Sequence, residues 1–378
     1  MYFMKKSNLK LLITTMLILV LLVSCAKNDI NKDSSIPLES SKYIISLSRS
    51  REANARLLFI KDNQLFPYQY NYDGYSINTI NYYENKLYLS SNRVNEHFIL
   101  DSNGEIKKYA NEYEGKNDKY FASWFTRASN NTLIKTANIG FIDGKYISDV
   151  IYNGEDGEKR VSLENQYLNN GLVKNDKLFI ESYHEIDKKN GITIIDKARA
   201  LVLKRIYFNS SFASASSELL DFNDKIVTYG NNSLNNYQRG EKNSAIAILD
   251  PNTYEINEYT FNKERIIYAY IHNDLIFVFT DHNILYKFND KLELSEKENV
   301  LDQSLLMDLI NEKYTIRKII YKEGIISALY TNRDFNNENF GFITEYNANN
   351  VNLINKIEIK LNNDKNWLGE VVDFIRIN

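Results

Sequence analysis

A short phrase that recurs along the chain sets the strongest limit on its fold. Each copy is a turn rich in Asn, Asp or Gly, followed by a strand of alternating β-branched and aromatic residues. The copies are ENKLYLSS (84–91), NDKLFIES (175–182), NDKIVTYG (223–230), NDLIFVFT (273–280) and EGIISALY (323–330). Another short strand precedes each copy, and a variable loop and a hairpin follow it. This order predicts repeating units of four strands, A to D, with tight A–B and C–D turns.

Seven such units account for residues 42–378. The first unit lacks strand A, because KYIISLSR (42–49) is predicted as a strand B and RLLFIKDNQLFPYQY (56–70) as a C–D hairpin. The last segment, EVVDFIRI (370–377), supplies the missing strand, whereas residues 119–163 fit the pattern less well. A spacing of about 48 residues is typical of propeller blades. We therefore predict an all-β fold, a single seven-bladed β-propeller closed by its C-terminal strand.

A second fold is compatible with the same pattern. Two tandem β-sandwiches also consist of short, evenly spaced strands, so they remain an alternative. The hairpins, such as IAILDPNTYEINEYTF (246–261), resemble the strand pairs of YVTN-type and quinoprotein-like propellers. That resemblance is spread along the blades, and it implies a fold and no activity.

One segment departs from the β pattern. NVLDQSLLMDLINEKY (299–314) places Leu301, Leu305 and Leu309 at helical spacing, with Asp302 as a possible N-cap. This spacing predicts a short helix near 301–311. The helix either packs on the ring between two blades or serves as a mobile element that binds a partner.

The N-terminal segment has the pattern of a secretory signal. Three lysines precede the apolar run 11–24, which is shorter than the ~20 residues that a membrane-spanning helix needs. The run ends in Leu-Val-Ser followed by Cys25, the only cysteine of the chain. This ending resembles the lipobox of bacterial lipoproteins, which implies cleavage after residue 24 and a diacylglycerol on Cys25. The resemblance therefore predicts a lipid anchor on the outer, extracytoplasmic face of the cell membrane.

The mature N-terminus is predicted to be a flexible tether. Residues 25–41 are polar after the acylated cysteine and have no apolar period, and sixteen such residues reach roughly 20–24 Å. With Cys25 acylated, no thiol remains for a disulfide, so the fold depends on packing alone.

The net charge of −3 becomes more negative once the signal lysines are removed, which argues against nucleic acid as a partner. We expect a monomer.

The sequence contains no motif that predicts catalysis. The four histidines are scattered, without a second ligand type at metal spacing, and NGEDGE (153–158) is better explained as a hairpin turn than as a calcium loop. A nucleophile elbow and a glycine-rich phosphate loop are both absent. We therefore expect no cofactor and no metal. His184 and its neighbour Glu185 form the pair most suited to acid–base chemistry.

Arginines are concentrated in the segments predicted as B–C loops, although the chain otherwise prefers lysine. Propeller geometry places all B–C loops on one face, and arginine offers a planar fork for carboxylate or phosphate. Six of the 13 arginines belong to these loops: Arg49, Arg51, Arg56, Arg93, Arg239 and Arg333. The candidate ligand-binding residues are Arg49, Arg51, Arg93, His184, Tyr237, Arg239, Arg333 and Trp367.

Two functions from different classes fit these observations. The first is a non-enzymatic surface lipoprotein whose long-loop face binds a protein partner or an anionic envelope component. The alternative is an extracytoplasmic lyase or hydrolase whose active site lies in the funnel of the ring. Buried carboxylates that converge with His and Arg in the funnel would favour the enzyme, and a flat polar face would favour the scaffold.

Overall fold

The computed structural model of the chain describes ten ranges, 36–49, 51–61, 65–110, 126–154, 156–208, 218–231, 243–300, 313–332, 339–361 and 370–377. Apart from residue 36, all of them belong to one unit, Pro37–Asn378. Within these ranges the regular structure is β-strand. None of the described segments is a helix long and apolar enough to cross a membrane. The predicted signal peptide, Cys25 and the predicted helix near 301–311 lie outside the described residues.

The described strands form seven antiparallel sheets of four strands each, which are the blades of a propeller. In six of these blades the four strands follow one another along the chain. These strands are β4 (Ile77–Tyr83), β5 (Lys86–Ser91), β6 (His97–Asp101), β7 (Ile106–Tyr109); β8 (Thr126–Ser129), β9 (Thr132–Ile142), β10 (Lys145–Gly154), β11 (Gly157–Glu164); β12 (Gln166–Lys174), β13 (Lys177–His184), β14 (Lys189–Asp196), β15 (Leu201–Tyr207); β16 (Leu220–Phe222), β17 (Lys225–Asn231), β18 (Asn243–Leu249), β19 (Ile256–Asn262); β20 (Ile266–His272), β21 (Leu275–Thr280), β22 (Ile284–Phe288), β23 (Leu294–Asn299); β24 (Tyr314–Lys322), β25 (Ile325–Asn332), β26 (Asn339–Asn347), β27 (Leu353–Lys360).

The seventh blade joins the two ends of the ring. It contains β1 (Tyr43–Ser48), β2 (Ala53–Ile60), β3 (Tyr68–Tyr75) and the last strand of the chain, β28 (Glu370–Arg376). Strand β28 pairs antiparallel with β1, and the ring of Phe374 stacks on that of Tyr43 at 5.3 Å. The predicted closure by the C-terminal strand is therefore confirmed, and tandem sandwiches are excluded.

The tight A–B turns explain why the recurring phrase begins with Asn and Asp. In the β12–β13 turn, Asn175 and Asp176 have φ values of 49° and 55°, and in the β20–β21 turn Asn273 and Asp274 have values of 47° and 58°. A two-residue turn with positive φ at both positions matches the twist of the strands it joins. Asn and Asp tolerate this backbone conformation better than other residues with a side chain. The turn signal in the sequence therefore reflects a steric requirement.

The core lies between the blades, because alternate residues of each strand pack on opposite neighbours. On β13, Leu178 and Ile180 join the apolar cluster shared with the preceding blade. Phe179, between them, joins the cluster shared with the following blade. Both faces of β13 are thus buried between neighbouring blades.

Candidate functional site

The inner strands of the seven blades surround a central channel. These strands are β4, β8, β12, β16, β20, β24 and β28, and most successive members contact each other. Two connected cavities occupy the channel, a wide lobe of about 570 Å³ and a narrow lobe of about 340 Å³. The residues that line both lobes form what we call the waist: Thr79, Asn169, Asn170, Glu218, Lys318 and Asp373.

The two lobes open towards different faces of the ring. The wide lobe is lined by Ile266 and Ile316, near the starts of β20 and β24, and by Asn231, the last residue of β17. These positions belong to the long-loop face, which carries the B–C loops. The narrow lobe is lined by Lys322 and Arg376, at the ends of β24 and β28, on the tight-turn face of the A–B turns. A ligand of drug-like size fits the wide lobe, since small-molecule sites typically measure about 300–1,000 Å³.

A β-bulge recurs at the same level of the inner strands. The pairing register shifts by one residue in five of them, so that one residue of each strand has no partner on strand B. The extra residues are Asn78, Asn169, Ile267, Arg317 and Val372. A bulge redirects its side chain out of the regular alternation. Four of the five extra residues line the wide lobe; Val372 is the exception.

Cationic side chains outnumber carboxylates in the channel. The described lining contains six cations, Arg127, Arg265, Arg317, Lys318, Lys322 and Arg376, and two carboxylates, Glu218 and Asp373. The whole chain, in contrast, has a formal net charge of −3. A recessed cavity with low-dielectric walls concentrates such a field and attracts ions of opposite charge. The channel is thus a positively charged site on an acidic protein.

At the waist, an ion pair links two neighbouring blades. Lys318 Nζ lies 2.6 Å from Asp373 Oδ1, while Asp373 Oδ2 accepts a hydrogen bond of 2.7 Å from the backbone N–H of Ile80. Burial lowers the pKa of Lys318, but the carboxylates of Asp373 and Glu218 raise it more, so the pKa lies above its ordinary value. Lys318 therefore stays charged, and Asp373 connects three inner strands.

Arg127 crosses the waist from the blade of β8. Its guanidinium donates hydrogen bonds to Asn170 Oδ1 at 2.9 Å and to the carbonyl oxygen of Leu219 at 2.8 Å. Both acceptors are neutral, so the bonds fix the side chain without cancelling its charge. Near them, burial and then the Glu218 carboxylate raise the pKa of Tyr229 and of Tyr268. Both tyrosines line the wide lobe with their hydroxyl groups protonated.

Cations also lie at both openings. At the wide mouth, Arg265 and Arg317 are exposed, and Arg317 Nε donates to Thr331 Oγ1 at 2.7 Å. At the narrow mouth, Lys322 Nζ donates to the carbonyl oxygen of Ile377, and Arg376 Nη1 donates to that of Lys322 at 3.1 Å. This distribution suits the binding of anions by charge and hydrogen bonding. Among the described residues, no three His, Cys, Asp or Glu side chains are grouped as metal ligands.

Three of the arginines predicted as ligand-binding residues lie on the long-loop face. Arg49 directly follows β1, at the start of the β1–β2 loop, and forms an ion pair with Glu52. Arg51 in that loop and Arg93 in the β5–β6 loop are both exposed. Neither is among the residues that line the two lobes. Four further candidates, Tyr237, Arg239, Arg333 and Trp367, lie outside the described residues.

The assignment of Arg56 to a loop is wrong. Strand β2 begins at Ala53, so Arg56 lies within it and is only 4% exposed. Its guanidinium donates to Asn71 Oδ1 at 2.7 Å and to Gln69 Oε1 at 2.8 Å, both on the paired strand β3. This arginine holds two strands together and does not face the long-loop surface.

His184 and Glu185 do not point to a common site. His184 is 3% exposed, and its Nε2 lies 3.1 Å from the hydroxyl of Ser182, which also bonds the carboxamide of Gln166 at 3.1 Å. Burial, with the charge of Arg205, lowers the pKa of His184 to about 4. Glu185 instead lies near the hydroxyl of Tyr167, whose pKa rises through burial and this carboxylate. The His184 ring is part of a buried polar network within the blade of β12–β15.

Among sequences, no family model matches this chain, and no curated protein matches it significantly. Solved structures of similar shape include dihydro-heme d1 dehydrogenase NirN in complex with DHE, at a TM-score of 0.50 and 9% identity, over 87% of this chain and 75% of that one. AztD from Citrobacter koseri has a TM-score of 0.48 at 13% identity, covering 83% and 86% of the two chains. Virginiamycin B lyase from Staphylococcus aureus has 0.48 at 14% identity, covering 83% and 88%. At such identities the similarity concerns the fold alone.

Proposed function

We propose that this protein is a lipoprotein, anchored through Cys25 to the outer face of the cell membrane, that binds an anionic ligand in the wide lobe of its propeller. The observation that carries the proposal is the excess of cations over carboxylates along the channel, where the described lining of the wide lobe itself has three cations and two carboxylates. Two of these cations, Arg265 and Arg317, are exposed at the mouth on the long-loop face. Arg51 and Arg93, in loops of the same face, would add to the attraction of an anion towards that mouth.

The depth of the site favours a small envelope component over a folded protein partner. Lys318, Glu218 and Asp373, which form the inner end of the wide lobe at the waist, lie inside the ring, where the surface of a globular protein does not reach. A standard protein interface is a broad exposed surface that buries about 800 Å² per partner. This site is instead a recessed cavity, with a volume of about 570 Å³. A protein partner is therefore expected to insert an extended acidic segment if it binds here at all.

An enzymatic role is the second candidate, and one observation favours it. The wide lobe combines the side chain of Glu218 with the hydroxyl-bearing side chains of Tyr229 and Tyr268. A carboxylate and a hydroxyl in one cavity supply a base and an acid. Conversion of a bound anion by the wild-type protein, lost in Glu218→Gln, would identify the protein as an enzyme.

Thermal unfolding in different anions tests the binding proposal. We would compare phosphate, citrate and benzoate with chloride at equal ionic strength, using the wild type and an Arg265→Gln/Arg317→Gln variant. A ligand that binds only the folded state stabilises it, by about 2.7 kcal/mol when its concentration is a hundred times its Kd. Lys159→Gln/Arg199→Gln, which removes two cations from the outer edge of the ring, is the matched control.

We expect at least one anion to raise the Tm of the wild type and of the control variant, and the channel variant to lose that increase. Equal increases in all three proteins would show that the anions act nonspecifically, and no increase in any would contradict the proposal.

The anchor is tested separately. Cys25→Ala is expected to leave the membrane fraction or to remain unprocessed, and mature protein that stays on the membrane would refute lipidation at Cys25.

A further inference from the structure

One wall of the wide lobe is apolar. It is formed by Ile266, Ile267, Ile316 and Ile319, from the inner strands of two neighbouring blades. Three of them, Ile267, Ile316 and Ile319, are only partly buried, and they pack against the core that those blades share. Partly exposed isoleucines in a recessed cavity favour a ligand that brings apolar surface of its own, since burial of such surface is favourable.

The same two blades carry the cations of the wide mouth. Arg265 immediately precedes β20, and Arg317 is the bulged residue of β24. The regular alternation of β24 is broken at Arg317, which lines the lobe together with Ile316 before it and Lys318 after it. A guanidinium binds a carboxylate or phosphate group through two parallel hydrogen bonds. Cations able to bind an acidic group and an apolar wall therefore meet at one side of the lobe.

The carboxylates of the waist limit how deep a negative charge can lie. Asp373 is paired with Lys318, but Glu218 lines the same part of both lobes and adds a second negative charge there. An acidic head group that moved down to the waist would approach both carboxylates. Like charges at close range are unfavourable, and more so in a recessed site. The head group is thus best placed at the mouth, beside Arg265 and Arg317.

Building on the proposed anion-binding function, we infer that the ligand is an amphipathic anion. A single carboxylate or phosphate group binds Arg265 and Arg317, and an apolar chain or ring packs against Ile267, Ile316 and Ile319. The carboxamides of Asn78 and Asn169, which also line the lobe, bind polar groups on the opposite side. Bare inorganic anions and polyanionic chains are accordingly poor ligands, because they offer no apolar surface or place several charges near Glu218.

Calorimetric titration with matched anions tests this inference. Acetate is compared with hexanoate, and inorganic phosphate with hexyl phosphate, so that each pair differs only in its apolar chain. We expect hexanoate and hexyl phosphate to bind at least about tenfold more tightly than their short partners, given the usual gain per buried methylene. The better of the two long ligands identifies the head group as carboxylate or phosphate.

Variants locate the apolar contact. Ile267→Thr and Ile316→Thr, which keep a β-branched residue on each strand, should lose most of the gain from chain length, measured in each variant as the ratio of its affinities for the long and the short anion. Ile354→Thr, at a residue 54% exposed on the outer strand β27, is the control and should change nothing. Circular dichroism checks that each variant is folded. If one channel variant unfolds, the other decides.

The outcomes separate this inference from the function on which it is built. Equal affinity for acetate and hexanoate, and for the two phosphates, would overturn the amphipathic ligand while anion binding stands. A chain-length gain that persists in both isoleucine variants would also overturn it, because the apolar chain would then bind elsewhere. Loss of all anion binding in Arg265→Gln/Arg317→Gln is expected. Absence of binding by every anion to the wild type would refute the proposed function itself.

Discussion

A buried carboxyl group behind the channel wall makes the stability of the fold depend on pH. Glu181 lies on β13 opposite Asn170 and is 3% exposed. Its Oε1 accepts a hydrogen bond of 3.1 Å from the Thr228 hydroxyl, whereas Oε2 has no hydrogen-bond partner. Burial raises the pKa of Glu181 from 4.5 to about 7, and the bond from Thr228 offsets only part of this rise. The native state therefore keeps a proton that the unfolded chain releases.

The sign of the effect follows from proton binding. Between about pH 4.5 and pH 7 the folded protein holds one proton more at Glu181 than the unfolded chain, so the free energy of unfolding falls as the pH rises. Above pH 7 the carboxyl is ionised in both states and the loss is complete. One pKa unit corresponds to about 1.4 kcal/mol, so the total is about 3 kcal/mol. That is a large share of a typical stability of about 5–15 kcal/mol.

Glu181→Gln removes the titration and keeps the shape of the side chain. Relative to the wild type, the variant should gain about 3 kcal/mol of stability between pH 4.5 and pH 8, with most of the gain between pH 5 and pH 7. Urea unfolding followed by circular dichroism at several pH values measures the difference. Glu358→Gln, at an exposed position on β27, is the control and should show no such trend. A difference between Glu181→Gln and the wild type that is constant from pH 4.5 to pH 8 would refute the reasoning.

Three further predictions concern acid stability, closure of the ring and its orientation. Burial lowers the pKa of His97 from 6.5 to about 4, so the wild type should lose about 3 kcal/mol of stability as the pH falls from 6.5 to 4. His97→Asn should abolish this loss, whereas the control His282→Asn should not, and unfolding curves at both pH values measure the difference. Deletion of residues 370–378 removes β28 with its buried Phe374 and should cost at least about 3–5 kcal/mol, so an unchanged Tm would contradict ring closure. If the tether holds the tight-turn face near the bilayer, Arg51→Cys on cells should react with a bulky maleimide faster than Asn273→Cys, and equal rates would refute that orientation.

The number and order of the blades were predictable because their signals are local. Each A–B turn needs two residues that accept positive φ, which Asn175–Asp176 and Asn273–Asp274 provide in the sequence. The strand after each turn alternates between two buried faces and is therefore rich in β-branched and aromatic residues. Closure was predictable from a count, since the first unit lacked one strand and EVVDFIRI remained at the end of the chain.

The channel could not be predicted in the same way, because its residues converge only when the ring closes. Arg127, Lys318 and Asp373 belong to three blades that are distant in sequence, and neither a motif nor a spacing connects them. The bulge that brings Arg317 into the lobe is a property of pairing between strands, which a single strand does not reveal. One signal was present. Charged residues interrupt inner strands that are otherwise apolar, as in TIRKII (315–320) and VVDFIR (371–376).

Strand boundaries were the least predictable feature of the arginine-rich segments. Arg56 follows a polar stretch and was assigned to a loop, but β2 extends over it, with Arg56 paired to Leu47 of β1 and to Asn71 of β3. Gln69 and Asn71 accept the hydrogen bonds of its side chain. A buried arginine is stable where neutral oxygens satisfy its donors. The partners of Arg56 lie on another strand, so the residue type alone did not distinguish a loop arginine from one inside a sheet.

The central claim, that the wide lobe is the ligand site, is tested most directly by a crystal of the protein grown with bromobenzoate. The anomalous signal of bromine locates the ring, and the electron density locates the carboxylate. We predict one bromine peak in the wide lobe, with the carboxylate at Arg265 and Arg317 and the ring against Ile316 and Ile319. A bromine peak only on the outer surface of the ring, or a carboxylate bound away from both arginines, would contradict the account.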